Sequence, residues 1–260
     1  MSEKKLEISL ADKTITLQTG LLAPQANGAV LVTSGKTVIL ATVVMGQPDE
    51  SKDYFPLSVE FSDKLYAGGI IKSSRWLKRE GGLVDKSILS GRLIDRAIRP
   101  LFPKGFKNDV QVIVTVLSND KSTDVIVPSF TAVSAALAIS DIPFNGPVSA
   151  VRIANVTNKL VINPTVEQLK ESNLDLLACT NSVGINMMEA GANIVDNKTV
   201  LAAIKLATDS GNQINRQIQE FSQKHGQKKI TEPDGVNFCI MKSSPGTKQA
   251  SIFSGLKIKA

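Results

Sequence analysis

Residues that often carry catalytic or metal-binding chemistry are scarce in this 260-residue sequence. It contains two cysteines, Cys179 and Cys239, whose spacing fits no metal motif, and one histidine, His225. These counts exclude histidine-rich metal sites and argue against Ser-His-Asp and Cys-His nucleophile systems. Because no disulfide framework is present, we expect the chain to work in a reducing compartment.

Long apolar segments are also missing. No run approaches the roughly 20 apolar residues that a membrane-spanning helix requires, and the first residues lack the apolar core of a secretory signal peptide. Hydrophobic residues make up 42% of the chain, which is typical of a globular protein. We therefore predict a cytoplasmic protein that does not enter a membrane.

Positive charge is concentrated in one stretch. Residues 64–107 hold eleven lysines and arginines against three acidic residues, a net charge of +8, whereas the whole chain carries +6. The remaining 216 residues therefore sum to −2. A local excess of this kind indicates an anionic partner that docks at one place.

Hydrophobic periodicity predicts a mixed α/β chain, because alternating or continuous apolar runs favour strands and a period near 3.6 favours helices. The predicted strands cover residues 6–10, 14–17, 29–33, 37–45, 57–61, 110–117, 148–156, 159–162, 174–180 and 184–189. The predicted helices cover residues 85–99, 127–140, 165–172 and 197–224. Thr157-Asn158 is the predicted turn of a hairpin. Residues 228–260 show no sustained period and are expected to form an irregular tail or the stump of a further domain.

The helix predicted from Asp85 combines an apolar stripe with a basic face, and Pro100 ends it. The stripe consists of Ile88, Leu89, Leu93, Ile94, Ala97 and Ile98. Arg92, Arg96 and Arg99 follow one another at positions i, i+4 and i+7, so they share one face. Guanidinium groups bind phosphate through two N–H donors, and three in a row can follow a phosphodiester backbone.

A second basic cluster precedes this helix. Trp76 and Leu77 stand directly before Lys78 and Arg79. An aromatic residue beside a basic pair suits single-stranded nucleic acid, where stacking contributes ~1–3 kcal/mol per base. The alternative that the spacing leaves open is a solvated charged face, with Trp76 in the core and neighbouring carboxylates holding the arginines in salt bridges.

The carboxylates form no recognisable cluster. Asp120, Asp124, Asp141 and Asp175 fall near predicted strand ends or loops. None belongs to a D-x-D or E-x-x-D group of the kind that binds Mg²⁺. We therefore predict no metal site in this chain.

Several segments resemble the amino-terminal third of bacterial polynucleotide phosphorylases. In the order of that family they are LATVVMG, YFPLSVEF, YAGGIIKSSRWLKREG, RLIDRAIRPLFPKGF, VQVIVTVLS, IPFNGPVSAVRI, LVINPTVEQLKESNLDLLACT and MMEAGA. The resemblance covers residues 5–225, and RLIDRAIRPLFP with IPFNGPVSAVR is its most specific part.

This resemblance implies an RNase PH-type fold, related to domain 2 of ribosomal protein S5, over residues 1–227. It implies 3′→5′ phosphorolysis of RNA in mRNA turnover, in which inorganic phosphate attacks the terminal phosphodiester and a nucleoside diphosphate leaves. For the full-length family enzyme it also implies a homotrimeric ring, single-stranded RNA as partner and a carboxylate-bound Mg²⁺. The family's second RNase PH-type domain and its KH and S1 domains are expected to be absent from this chain.

The family's functional residues transfer onto this sequence with substitutions. Its channel loop, usually Phe-Phe-Arg-Arg, falls on residues 76–79, where one aromatic ring is lost and Lys78 keeps the charge without the bidentate fork. The acidic run of catalytic RNase PH domains corresponds to residues 163–169, which lack the metal-binding and acid–base carboxylates. The resemblance therefore implies RNA contacts without a catalytic residue. A stand-alone phosphorolytic exoribonuclease and a non-catalytic structural ring subunit are the alternatives.

Overall fold

Two β-sheets and four α-helices build the described part of the chain in this computed structural model. The structure describes residues 3–10, 13–48, 51–70, 84–122 and 124–230. All of them belong to one unit, Met1–Ile230, and Thr231–Ala260 lies outside the described residues.

The first sheet has six strands in the order β1-β2-β3-β4-β6-β5. These strands are β1 (Lys4–Leu10), β2 (Lys13–Thr19), β3 (Gly28–Ser34), β4 (Thr37–Pro48), β5 (Leu57–Asp63) and β6 (Asn108–Ser118). Neighbouring strands run antiparallel except β5 and β6, which are parallel. As a result β1 and β5 form the two opposite edges of this sheet.

The second sheet is antiparallel and has four strands in the order β10-β9-β7-β8. They are β7 (Ser149–Val156), β8 (Lys159–Ile162), β9 (Leu174–Thr180) and β10 (Ile185–Ala192). The predicted hairpin between β7 and β8 is confirmed. Its turn residues, Thr157 and Asn158, have φ values of 48° and 61°, the left-handed pair that a tight two-residue turn requires.

The helices are α1 (Asp85–Ile98), α2 (Ile126–Ile139), α3 (Val166–Glu171) and α4 (Asn197–His225). Every residue of α2 is buried, because this helix packs against strands of both sheets and against α4. A helix that is apolar all round fits only such a place. Among the described residues, none of the helices has the length and apolar character needed to span a membrane.

Side chains cap the amino-terminal ends of two helices. The Thr165 hydroxyl accepts from the backbone N–H of Gln168, whose side chain accepts from the backbone N–H of Thr165. The Asp196 carboxylate accepts from the backbone N–H of Lys198 at the start of α4. Such caps satisfy amide groups that have no partner inside the helix.

The chain returns to the carboxyl end of α2 after α4. The Lys229 ammonium donates to the carbonyl oxygens of Leu137 and Ser140, at 2.6 and 2.7 Å, and the Ser222 hydroxyl donates to that of Ala138. Burial lowers the pKa of Lys229 to about 8, although Asp141 opposes this shift. These donors satisfy carbonyl groups that every helix leaves open at its carboxyl end.

Candidate nucleic-acid interface

Helix α1 lies against the edge strand β5 and carries the predicted basic face. A glycine allows this close approach, since a Cβ at Gly91 would lie 3.0 Å from the carbonyl oxygen of Val59. Ile94, Ala97 and Ile98 are fully buried as predicted. The polar side of the helix therefore has to face outward.

One part of the predicted apolar stripe is wrong. Ile88 and Leu89 are 43% and 60% exposed, and Val84 before the helix is 63% exposed. Only the second half of α1 buries its apolar residues, because small residues, Ser87, Ser90 and Gly91, occupy the inward face of its first turns. The exposed apolar residues adjoin residues 71–83, which are outside the described part of the chain.

Arg99 is held by four hydrogen bonds within the fold. It donates to both carboxylate oxygens of Asp95, at 2.7 and 3.0 Å, and to the carbonyl oxygens of Phe55 and Leu57, at 3.0 and 3.1 Å. Its Cζ atom also lies 5.7 Å from the centre of the Phe55 ring, within the range of a cation–π contact. These contacts attach the end of α1 to the segment that leads into β5.

Among the residues that the structure describes, Arg96 makes one ion pair, which is exposed. Its Nη2 atom lies 3.3 Å from Glu189 Oε2 on β10, and the two side chains are 59% and 58% exposed. Pairs of this kind contribute about 0–1 kcal/mol because water screens them. An incoming phosphate can therefore take the place of the Glu189 carboxylate at low cost.

Arg92 is exposed on the same face. Among the described residues it has no hydrogen-bond or ion-pair partner, unlike Arg96 and Arg99. It lines a groove of about 300 Å³ between α1 and β5, together with Ser87 and Asp95. The three predicted arginines thus share one helix face but differ in how much of their binding capacity is already used.

The other predicted RNA-binding residues are Trp76, Leu77, Lys78 and Arg79. They lie outside the described residues. Their assignment stays a prediction that rests on sequence.

A part-buried ion cluster that joins the second sheet to the segment before α2 was missed from the sequence. Arg152 on β7 donates its Nε to Asp175 at 2.7 Å and its two Nη groups to Asp175 and Asp124. The hydrogen bond to Asp175 and the charges of both carboxylates raise the pKa of the guanidinium further above its ordinary value, against the effect of burial. The signal in the sequence was an arginine inside an otherwise apolar strand, since such a charge needs a carboxylate partner.

This cluster bears on the Mg²⁺ that the family resemblance implies. Asp124 and Asp175 come together at Arg152, whose guanidinium already binds both carboxylates. Among the described residues, no three His, Cys, Asp or Glu side chains are placed to share a metal ion. These residues therefore do not fit a Mg²⁺ site.

The stretch at 163–169, which corresponds to the acidic run of catalytic domains, serves the fold instead. Asn163, at a φ of 48°, exchanges hydrogen bonds with the backbone of Arg152 through its own N–H and its side-chain oxygen. Thr165 and Gln168 close the cap of α3. Glu167, the single carboxylate of the stretch, is exposed.

Comparison with known proteins assigns the chain to a family. Residues 11–143 match the family described as 3′ exoribonuclease family, domain 1, and residues 146–210 match its domain 2. Because the first match alone covers half of the sequence, the chain belongs to the 3′ exoribonuclease family.

Three curated relatives carry the name polyribonucleotide nucleotidyltransferase. The protein from Exiguobacterium sibiricum is 46% identical over 211 residues, which are 80% of this chain and 28% of the relative. That from Roseiflexus castenholzii is 45% identical over 84% of this chain and 29% of its own length. That from Bacillus cereus is 42% identical over 88% of this chain and 32% of its own length. The chain thus spans less than a third of the length of these relatives.

A solved structure supports the fold. The crystal structure of rice (Oryza sativa) Rrp46 matches with a TM-score of 0.65 at 13% identity, and the match covers 80% of this chain and 94% of that one. At this identity the likeness concerns the fold alone. Together with the family matches it confirms the predicted RNase PH-type α/β fold.

Proposed function

We propose that this chain is the RNA-binding first core part of a polynucleotide phosphorylase, an enzyme that degrades RNA from its 3′ end by phosphorolysis. The observation that carries the proposal is the basic face of α1. Arg92 has no partner among the described residues and Arg96 has one weakly bound partner, while Arg99 holds the helix in place. Two available guanidinium groups on a fixed helix suit two successive phosphates.

The finer parts of the proposal rest on the family resemblance. Inorganic phosphate is the co-substrate and a nucleoside diphosphate is the product. Mg²⁺ binds to carboxylates elsewhere in the full-length enzyme, since the described residues of this chain do not fit it. A homotrimeric ring, a cytoplasmic location and a role in mRNA turnover belong to the same proposal, as does a first RNase PH-type domain over residues 1–227.

Two assays on the purified chain test this proposal. The first measures the binding of a fluorescent single-stranded oligoribonucleotide by anisotropy over a series of salt concentrations. We expect salt-sensitive binding, because each phosphate contact to single-stranded RNA contributes about 0.7 to the slope of log affinity against log salt. The second assay measures nucleoside diphosphate release in the presence of phosphate, where we expect little or none.

Substitutions connect the binding to the helix face. Arg92→Ala with Arg96→Ala is expected to reduce the salt slope by about 1.4. Arg79→Ala is expected to reduce it further, by the amount that corresponds to one phosphate contact. Arg216→Ala, an exposed position on α4, is the matched control and is expected to leave the slope unchanged.

The outcomes separate the three functions that the sequence left open. Rapid nucleoside diphosphate release by the chain alone would establish a stand-alone phosphorolytic enzyme. If the arginine substitutions change neither the RNA affinity nor the salt slope, the basic face is not the RNA-binding site. That result would favour a structural role in assembly.

A further inference from the structure

A pocket of about 460 Å³ lies at the end of the first sheet that is formed by β1, β2 and β3. The loop between β2 and β3 forms one wall, and the carboxyl end of α4 with residues 226–227 forms another. Helix α1 contacts β5, at the opposite edge of this sheet. The pocket is therefore separate from the basic face described above.

Hydrogen bonds hold the walls of this pocket in place. The Asn27 side chain donates to Asp141 and accepts from the backbone N–H of Met45, each at 2.9 Å. The backbone N–H of Gln227 donates to the carbonyl oxygen of Ile139 at 2.8 Å, and its side chain reaches Asn27 O at 3.4 Å. The cavity is thus formed before any ligand enters, which lowers the entropic cost of binding.

The ionisable side chains that line the pocket are all basic ones. Lys4, Lys224 and His225 line it, and none of its lining residues is acidic. Within the part of the chain that the structure describes, neither lysine has a carboxylate partner, and His225 has only an edge contact with the Phe221 ring. Both lysines are exposed, so a ligand that enters the pocket can reach their ammonium groups.

The helix dipole explains only part of this lining. A helix carboxyl end carries partial negative charge, which favours basic side chains such as Lys224 and His225 in the last turn. Lys4 comes from β1, on the other wall, where no helix end accounts for its position. Convergence from two separate elements indicates a shared anionic ligand.

The remaining lining indicates what else the ligand contains. Leu22, Pro24 and Ile139 provide apolar surface beside the basic side chains. The volume falls within the range of pockets for small organic ligands, about 300–1,000 Å³. We propose that this pocket binds a phosphorylated small molecule of about the size of a mononucleotide, with its phosphate on Lys4 and Lys224 and its organic part on the apolar wall.

AMP is a suitable probe, with adenosine and inorganic phosphate as its two halves. Calorimetry gives the affinities. NMR gives the place of binding, because His225 is the only histidine and its imidazole resonances need no assignment. We expect AMP to bind at least tenfold more tightly than either half and to shift the His225 resonances.

Charge reversal tests the two lysines. Lys4→Glu with Lys224→Glu is expected to weaken AMP binding at least tenfold, while Lys4→Arg with Lys224→Arg retains most of it. Lys205→Glu, on an exposed position of α4, controls for a general change in charge. Arg92→Ala with Arg96→Ala is expected to leave AMP binding intact, so the result is independent of the proposed RNA interface.

Three results would overturn the proposal. One is the absence of AMP binding or of any shift at His225. Another is equal binding of adenosine and AMP, since the phosphate would then contribute nothing. The third is an AMP affinity that the double charge reversal leaves unchanged while the protein stays folded by circular dichroism.

Discussion

Replacing Arg99 with alanine is expected to loosen the carboxyl end of α1 without removing an RNA contact. The substitution deletes two hydrogen bonds to Asp95 and two to the carbonyl groups of Phe55 and Leu57. Hydrogen bonds of charged donors contribute about 1.5–3 kcal/mol when buried. Because the Arg99 side chain is 40% exposed, we discount this to about 2 kcal/mol in total.

Thermal unfolding followed by circular dichroism measures this loss. For a domain of this size, about 2 kcal/mol corresponds to a decrease in Tm of about 4–8 °C. Arg92→Ala is the matched control on the same helix face, and its effect on stability is expected to stay within about 0.5 kcal/mol. In RNA binding, Arg92→Ala is expected to have the larger effect of the two substitutions and to reduce the salt slope by about 0.7.

Arg99→Lys separates charge from geometry. Lysine keeps the positive charge but has no planar fork, so it cannot reach Asp95 and two carbonyl groups together. We expect it to lose most of the stability that alanine loses. If lysine restores wild-type stability, or if Arg99→Ala melts at the same temperature as Arg92→Ala, the attachment described here is not what holds α1.

Three other changes test the packing and the buried charges. Arg152→Met leaves two part-buried carboxylates without their cation, so urea unfolding is expected to show a loss of about 1–2 kcal/mol after the discount for solvent screening, against less than about 0.5 kcal/mol for Arg216→Met; equal losses would refute the role of the cluster. Gly28→Ala places a Cβ 2.4 Å from a carbonyl oxygen of α2, whereas Gly191→Ala meets open space. Only the Gly28 substitution should therefore lower Tm, because overpacking costs about 1–3 kcal/mol of stability. Burial lowers the pKa of Lys229 from 10.5 to about 8, so between these pH values the unfolded chain binds one more proton than the folded chain. The stability of the wild type is therefore expected to rise with pH relative to that of Lys229→Met. A difference in Tm between the two proteins that stays constant from pH 7.5 to 10 would contradict this.

Local patterns predicted the elements of this fold well. Alternation, caps and turn residues act over a few neighbouring positions, so the β7–β8 hairpin and the cap at Thr165 could be predicted from the sequence. The α1 stripe was wrong at Ile88 and Leu89 because the buried face of the first turns consists of Ser87, Ser90 and Gly91, which a count of apolar residues does not detect.

The candidate site was harder to predict because its contacts are distant in sequence. Spacing placed Arg92, Arg96 and Arg99 on one face, yet it could not show that Arg99 reaches residues 42 and 44 positions earlier. In the same way, Arg152 meets carboxylates 23 and 28 positions away. Charge pairs of this kind follow from the fold and become visible only once the sheets are in place.

The burial of α2 also decides how the chain can be divided. The two family matches meet after residue 143, and the Ser134 hydroxyl of α2 accepts from the backbone N–H of Val148 across this boundary. A fragment that ends at residue 143 would keep all fourteen residues of α2 and lose the sheet and the helix that cover one side of it. The two matches are thus halves of a single cooperative unit. We expect neither half to fold alone, and a mixture of the two fragments to recover the native spectrum only when both are present.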